Sequence, residues 1–383
     1  MKIKYKIYFF FQYLVMGVTG PYLAVFLYEK GYSGAQIGLL LGAMPITILV
    51  FQPLWSYLSD IFNTRKRLLF LGSLGAGLAA LGLGYAPSFW VAFVCAVLLA
   101  AMQAPIMPIS NALVLDYLEE MDQPDDYSLI RLWGSLAFAI SSMLIGGLFI
   151  DQLLIYFVCL VAVMYFIQAG LSLTLPERGL EYSYSEFKGL DFLTKNPNFA
   201  IFLFGSVFIG ATINIVLNYQ TLFLQSLGAS SWLVGSAIAF QALIEIPIMI
   251  AVPFLLKRFS TRGLIWVGAM VLPIRWLAYI FIKDPVWVVP TQVLHSIAVV
   301  GFMVIGVSFI DQQLSPKWRA TGQGLYNSAM SGIGAAIGAG LAGMIFDRFD
   351  IRAVWFLNLI FGLISLGLLA LSFRGFSKSK NPG

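Results

Sequence analysis

Long apolar runs, separated by short polar segments, occupy almost the whole of this 383-residue chain. A helix that crosses a bilayer needs about 20 apolar residues, because in hydrocarbon its backbone N–H and C=O groups must bond within the helix. We therefore predict an all-α membrane protein with twelve transmembrane helices. The predicted spans are residues 6–28, 35–58, 67–86, 88–117, 127–150, 153–175, 198–226, 232–256, 262–282, 285–312, 320–346 and 352–373.

Composition leaves no room for a sizeable soluble domain. Hydrophobic residues make up 60% of the chain, charged residues 11%, and the mean hydropathy is +0.87. Cys95 and Cys159 lie inside apolar runs, without the spacing of a metal or redox motif. A single histidine excludes an HExxH zinc site, and the sequence contains neither a GxSxG elbow nor a Walker A loop. We therefore expect no enzymatic activity, no cofactor and no metal.

Basic residues in the loops predict the orientation in the membrane. About 17 loop lysines and arginines fall on one side of the predicted spans and about 4 on the other. This asymmetry predicts that both termini lie in the cytoplasm. The expected location is the inner membrane of a bacterium. The net charge of +5 follows from these loops and does not indicate nucleic acid. The expected partner at this point is the lipid bilayer, and we expect a monomer.

Several landmarks recur after about 196 residues, close to half of the chain length. The matched positions are Gly31 and Gly228, Arg65 and Arg262, Asp116 and Asp311, and Asp151 and Asp347. Because this offset spans six predicted helices, an even number, the two halves have the same orientation. We predict two six-helix bundles, residues 1–175 and 197–383, related by pseudo-two-fold symmetry around a central cavity. A polar cytoplasmic linker is predicted at 176–196.

The loop after the second predicted helix carries an acid and a basic cluster. Residues 51–60 (FQPLWSYLSD), followed by 63–67 (NTRKR), resemble the cytoplasmic loop motif of the major facilitator superfamily. That resemblance implies that Asp60 and Arg65 brace a gate, since such a pair can bond in one gate state and release in another. The alternative is a plain positive-inside anchor.

A finer resemblance, which covers nearly the whole chain, is to the lactose permease-like and phenylpropionic acid permease-like transporters. It is carried by residues 126–138 (DYSLIRLWGSLAF), by 274–276 (IRW) and by Leu294-His295. The resemblance implies proton-coupled transport of a small organic solute, aromatic acid or sugar-like, by alternating access. In that pattern Arg131 binds substrate together with Asp116. Phe138 stands where the family has a sugar-stacking tryptophan.

One departure from the family pattern bears on coupling. Ala298 occupies the position of the carboxylate that, one turn after the histidine, carries the coupled proton in lactose permease. Galactoside transport is therefore not expected, and coupling must rest on other acids. An uncoupled facilitator or an efflux carrier of the same fold remains the alternative.

Charged side chains inside the predicted helices also indicate a wet cavity. An arginine in a transmembrane helix costs several kcal/mol unless it faces water, a carboxylate or a ligand. Arg131 and Arg275 are therefore predicted to contact substrate, although Arg131 with Asp116 could instead be a structural ion pair. Glu245 and His295 lie at similar depth to Arg275 and are predicted to couple a proton, with His295 also touching substrate.

Amides and glycines complete the set of candidate residues. Asn214 and Gln292 are predicted to line the cavity, or else to bond between helices. The glycines near residue 340 have small-xxx-small spacing and are predicted to let helices pack closely rather than bind phosphate. They are Gly334, Gly338, Gly340 and Gly343.

Overall fold

The computed structural model describes residues 2–62, 64–121, 127–149, 153–176, 196–314 and 318–379, and its secondary structure in those ranges is helical. The α-helices are α1 (Lys2–Glu29), α2 (Gly34–Phe62), α3 (Arg65–Gly84), α4 (Phe89–Gln103), α5 (Ile106–Glu120), α6 (Tyr127–Leu144), α7 (Leu153–Ser172), α8 (Pro197–Ser226), α9 (Ser231–Arg258), α10 (Thr261–Phe281), α11 (Val288–Val300), α12 (Gly306–Gln313), α13 (Arg319–Asn327), α14 (Ala335–Arg348) and α15 (Ile351–Ser379). Short π-helical turns, Ile145–Phe149, Gly301–Ile305 and Ser328–Gly334, follow α6, α11 and α13.

Eleven helical segments within the described residues are long and apolar enough to cross a membrane, and a shorter apolar helix, Tyr156–Ser172, accompanies them. Three of the eleven combine two consecutive helices, namely α4 with α5, α11 with α12, and α13 with α14. The prediction of an all-α, multi-span membrane protein is therefore confirmed.

The described helices form two compact units. The first unit contains α1 to α7 together with Ser230–Ala239, which includes the first turns of α9. The second unit contains α8, the rest of α9 from Phe240 onward, and α10 to α15. Of the linker predicted at 176–196, only Pro176 and Asn196 are among the described residues.

A proline interrupts the long segment formed by α4 and α5. Pro105 has no N–H, so it cannot bond the carbonyl of Ala101, four residues earlier. Trp55 Nε1 on α2 donates to this Ala101 oxygen at 2.8 Å. A free carbonyl is costly inside a membrane segment, and the indole satisfies it from a neighbouring helix.

Replacing Trp55 with phenylalanine tests this compensation. The substitution keeps an aromatic ring but removes the only hydrogen that the indole can donate, so the Ala101 carbonyl loses its partner. We expect a loss of about 1–2 kcal/mol of stability, measured as reduced thermal stability in detergent. Trp90, 68% exposed, is the matched control, and its replacement by phenylalanine should leave stability unchanged. Equal losses from both substitutions would contradict the role of Trp55.

In the second unit, the segment formed by α11 and α12 is interrupted at the corresponding place by a π-helical turn and not by a proline. In the π-helical turn, the Gly306 N–H bonds to the Gly301 carbonyl, five residues earlier, and not to that of Phe302. Tyr326 on α13 donates its hydroxyl to the Phe302 oxygen at 2.8 Å. Phe302 lies 197 positions after Pro105, so both units break this helix at equivalent points.

Other contacts recur at the same offset of 197 residues. Gly31 (φ 90°) and Gly228 (φ 77°) adopt the left-handed conformation that closes α1 and α8. Tyr22 donates its hydroxyl to the Ser142 carbonyl at 2.6 Å, and 197 positions further on Tyr219 donates to Ala339 at 3.1 Å. The recurrence that the sequence predicts at about 196 residues is thus present in individual bonds.

Close helix packing in the second unit depends on glycines of α14 and the turn before it. A Cβ atom at Gly338 would lie 2.5 Å from the Ala211 carbonyl oxygen and 2.8 Å from the Ala211 Cα on α8, while a Cβ at Gly334 would meet the Val207 carbonyl. A Cβ at Gly340 would meet nothing within 4 Å. The predicted packing role is therefore confirmed for Gly334 and Gly338, whereas Gly340 does not share it.

These two environments make a matched pair of substitutions. We expect Gly338→Ala to cost about 1–3 kcal/mol, because the new methyl group forces α8 and α14 apart. Gly340→Ala should be neutral or stabilise by up to about 1 kcal/mol, since it only restricts the unfolded backbone. The measurement is the unfolding temperature of each purified variant. Similar effects from both would show that the close approach of the helices has little energetic weight.

Candidate functional site

The first unit places a polar cluster on α1, α5 and α6. Arg131 and Tyr127 lie one turn apart on α6, so their side chains share one helix face. The Arg131 Nη1 lies 3.5 Å from the Tyr127 hydroxyl, which donates to Asn111 Oδ1 at 3.1 Å. The Arg131 guanidinium also lies 5.9 Å from the ring centre of Tyr13. These four residues, Tyr13, Asn111, Tyr127 and Arg131, form the first-unit cluster.

This cluster combines a solvent-facing cation with aromatic rings. Arg131 is exposed, Tyr127 and Asn111 are half-buried, and Tyr13 is only 8% exposed and belongs to the hydrophobic core of the unit. Phe138, two turns beyond Arg131 on α6, is half-buried and packs against the same core. Hydrogen-bonding groups beside rings can bind a solute that has both hydroxyl groups and a flat face.

Asp116 on α5, which the sequence groups with Arg131, forms an ion pair with Arg65 at the start of α3. The Arg65 side chain is 10% exposed and the Asp116 side chain 21% exposed. Asp60 lies on α2 near its end, but its side chain is outside the described part of the chain. The structure thus joins one residue of the predicted gate to one residue of the predicted substrate site.

The second unit contains a fully buried arginine. Arg275 on α10 is 0% exposed, and its Nη2 bonds Gln220 Oε1 at 2.9 Å, the Tyr279 hydroxyl at 2.8 Å and Gln292 Oε1 at 2.9 Å. The Tyr279 hydroxyl in turn donates to Gln220 Oε1 at 3.1 Å. The guanidinium lies 4.9 Å from the ring centre of Trp276 and 5.0 Å from that of Tyr279. Arg275, Gln220, Tyr279, Gln292 and Trp276 form the Arg275 cluster.

Every group around Arg275 is neutral. Neutral oxygens and aromatic faces stabilise a cation, the faces by about 2 kcal/mol when water is excluded, but they do not cancel its charge. Among the residues that the structure describes, no carboxylate pairs with Arg275. Glu245, which the sequence places at a similar depth, is therefore not the counter-charge of Arg275 in this conformation.

His295 lies beside this cluster on α11, one turn after Gln292. It is 3% exposed, and Gln292 is 0% exposed. The structure joins Arg275 to Gln292 by a hydrogen bond and places His295 on the same helix as Gln292, and all three side chains are buried. Substrate contact by these three residues remains a prediction.

The remaining predicted residues lie on other faces of the second unit. Glu245 is half-buried on α9 and is not among the contacts of Arg275. Asn214 on α8 is half-buried and accepts hydrogen bonds from Asn218 at 2.9 Å through its carbonyl and at 3.0 Å through its side chain. Asn214 and Asn218 thus bond within one helix, and contact of Asn214 with a solute remains a prediction.

The sequence does not single out four residues of these clusters: Tyr13, Tyr127, Gln220 and Tyr279. Two of them carry a local signal, since Tyr127 and Tyr279 each lie four residues from an arginine on the same helix. Gln220 meets Arg275 from 55 positions away. No spacing rule predicts that contact, because it depends on the packing of α8 against α10.

Multiple apolar spans that enclose buried polar clusters are typical of membrane transport proteins. The model of the MFS_1 like family matches residues 2–357. This chain therefore belongs to that family of major facilitator transporters. The membership confirms the predicted superfamily and the prediction of a transporter rather than an enzyme.

Two curated relatives cover almost all of the chain. A maltose permease of Geobacillus stearothermophilus is 30% identical over 380 residues, which cover 96% of this chain and 94% of the relative. A xanthosine permease of Escherichia coli is 24% identical and covers 99% of this chain and 97% of the relative.

Among solved structures, the crystal structure of the nucleoside transporter NupG superposes with a TM-score of 0.87. It is 20% identical in sequence and covers 97% of this chain and 99% of that chain. At this identity the likeness shows a shared fold.

Proposed function

We propose that this protein is a secondary active transporter that moves a neutral, hydroxyl-bearing solute, a sugar or a nucleoside, by alternating access with a coupled proton. The observation that carries the proposal is similarity over nearly the full length to a maltose permease and a xanthosine permease. Both named solutes carry several hydroxyl groups on sugar rings. An uncoupled facilitator or efflux carrier of the same fold is the alternative, which Ala298 favours.

The first-unit cluster supports a neutral solute. A guanidinium, a phenol and an amide donate and accept hydrogen bonds, as hydroxyl groups require, and the rings of Tyr13 and Tyr127 offer flat faces. An acidic solute would favour a second accessible cation, but Arg275 is fully buried. We therefore prefer a sugar or nucleoside to the aromatic acid that the sequence leaves open.

The proposed architecture has twelve transmembrane helices in two six-helix bundles, 1–175 and 197–383, related by pseudo-two-fold symmetry. The bonds that recur after 197 residues support it, since a duplicated bundle places the same bond at the same position in each copy. The loop charges support cytoplasmic termini, a cytoplasmic linker and residence in the bacterial inner membrane.

Roles for individual residues follow from this proposal. Arg131, Phe138 and Asn214 contact the solute, and Glu245 carries the coupled proton with His295 as its relay. Asp60 and Arg65 brace the gate. Arg275 and Gln292 influence transport from their buried positions in the second unit. Asp116 acts through its ion pair with Arg65, which supports a gating role more than direct solute contact.

Counterflow in proteoliposomes tests the solute class. Vesicles loaded with unlabelled maltose, xanthosine or uridine should accumulate the matching labelled solute transiently, and saturation should follow. Arg131→Gln should raise the KM for the accepted solute at least about tenfold, as expected when a charged hydrogen bond is lost. Arg258→Gln, at the exposed end of α9, removes the same charge and should leave KM unchanged. Counterflow only with carboxylate solutes would contradict the proposal, and flux that neither saturates nor shows counterflow would indicate a channel.

A further inference from the structure

The hydrogen bonds of the Arg275 guanidinium are concentrated on one nitrogen. Nη2 carries two hydrogens, yet Gln220, Tyr279 and Gln292 all lie within 2.9 Å of it. Nε and Nη1 carry the other three hydrogens, and both are buried with no protein acceptor among the described residues. Buried donors of a charged group are rarely left without a partner, so this side of the guanidinium requires an explanation.

Other unpartnered groups of the cluster are also donors. Gln292 Nε2 and Trp276 Nε1 are buried and have no acceptor within the described ranges. His295 Nδ1 is likewise unpartnered, and a neutral imidazole can carry its proton on that nitrogen. The acceptors that these residues possess, the Gln220 and Gln292 oxygens and the Tyr279 hydroxyl, already face Nη2. The cluster therefore has a surplus of donors and one uncompensated positive charge.

We propose that the Arg275 cluster binds a small inorganic anion of the size and charge of chloride inside the second unit. The anion accepts hydrogen bonds from Arg275 Nε and Nη1, with the Gln292 amide as a further donor. A single negative charge balances the permanently protonated guanidinium. The site is a structural ion site and is separate from the proposed solute contacts at Arg131.

Other occupants fit the cluster less well. Water satisfies the donors but leaves the charge, which is costly to bury alone. A protein carboxylate satisfies both, but Arg275 contacts none in the part of the chain that the structure describes. An organic solute would need far more room than a monatomic anion beside Arg275 and Gln292, which are both 0% exposed. A monatomic anion requires the least space and provides the missing charge.

The test measures the thermal stability of the purified full chain as gluconate is replaced by chloride at constant ionic strength. We expect the unfolding temperature to rise saturably with chloride, by about 2 °C or more, because an ion that binds the folded state stabilises it. Bromide should give the same rise, and in crystals it should give an anomalous difference peak beside Arg275.

Variants assign the effect to this site. Arg275→Gln should abolish the chloride response, and Gln292→Leu, which keeps the charge but removes the amide donor, should shift its midpoint to about tenfold higher chloride. Arg258→Gln, an exposed arginine, should retain the full response. If Arg275→Gln does not fold, the chloride responses of the wild type and of Gln292→Leu, together with the bromide peak, still test the proposed anion site. The proposal would be overturned if chloride did not change the unfolding temperature of the wild type, if Gln292→Leu responded to chloride as the wild type does, or if no bromide peak lay beside Arg275. None of these results bears on which solute is carried.

Discussion

Asp116→Leu is expected to destabilise the protein by about 3 kcal/mol, because it removes a carboxylate that pairs with the partly buried Arg65 guanidinium. Arg65 is 10% exposed in the pair, so water cannot fully replace the lost carboxylate. The measurement is the unfolding temperature and the yield of monodisperse protein in detergent. The double variant Arg65→Met/Asp116→Leu should recover much of the loss, since it removes both charges.

The second unit provides a natural control for this substitution. Arg262 Nη2 bonds Gln313 Oε1 at 3.3 Å, and these residues lie 197 positions after Arg65 and Asp116. An amide thus lies beside the arginine at the equivalent place in the second unit, where the first unit has a carboxylate. We expect Asp116→Gln to restore most of the stability that Asp116→Leu loses.

Transport by the Asp116→Gln variant then separates two roles of the carboxylate. If the ion pair serves only the fold, Asp116→Gln should transport at nearly the wild-type rate. If the negative charge also controls the gate, as we propose, the variant should fold but transport at least about tenfold more slowly. A stable, fully active Asp116→Leu would contradict both roles.

Glu245→Gln is expected to abolish the acceleration of uptake by an imposed proton gradient. The amide keeps the size and hydrogen-bonding capacity of the side chain but cannot take up a proton. Counterflow, which exchanges solute at equal pH, should persist at a comparable rate, because no net proton movement is needed. Uptake and counterflow are measured with the same proteoliposomes.

Asp284→Asn is the matched control for Glu245→Gln. Asp284 is exposed, and its Oδ1 accepts the Val286 N–H at 3.0 Å, a bond that the asparagine oxygen can keep. This variant should respond to the gradient as the wild type does. An unchanged gradient response in Glu245→Gln would remove Glu245 from the coupling mechanism and favour His295 or an uncoupled carrier.

The residues that correspond between the two halves differ between the sequence prediction and the structure. The sequence pairs Asp116 with Asp311, because matching acids is the natural choice at an offset near 196. The contacts pair Asp116 with Gln313 instead, and Asp311 accepts a hydrogen bond from Gln323 at 2.7 Å. Position along the helix, and not residue type, is retained between the halves.

Hydropathy by itself determined the membrane class, the helical fold and the approximate ends of the spans, because apolar runs of about 20 residues have the length that a spanning helix needs to satisfy its own backbone in the bilayer. It also singled out the ionisable residues inside the apolar spans as candidate functional residues, since their burial in lipid is costly. These are Arg131, Arg275, Glu245 and His295. Only the tertiary structure decided their partners. Gln220 and Arg275, or Arg65 and Asp116, meet across more than 50 residues of chain, and such contacts depend on how helices rotate and pack, which one helix's sequence does not encode.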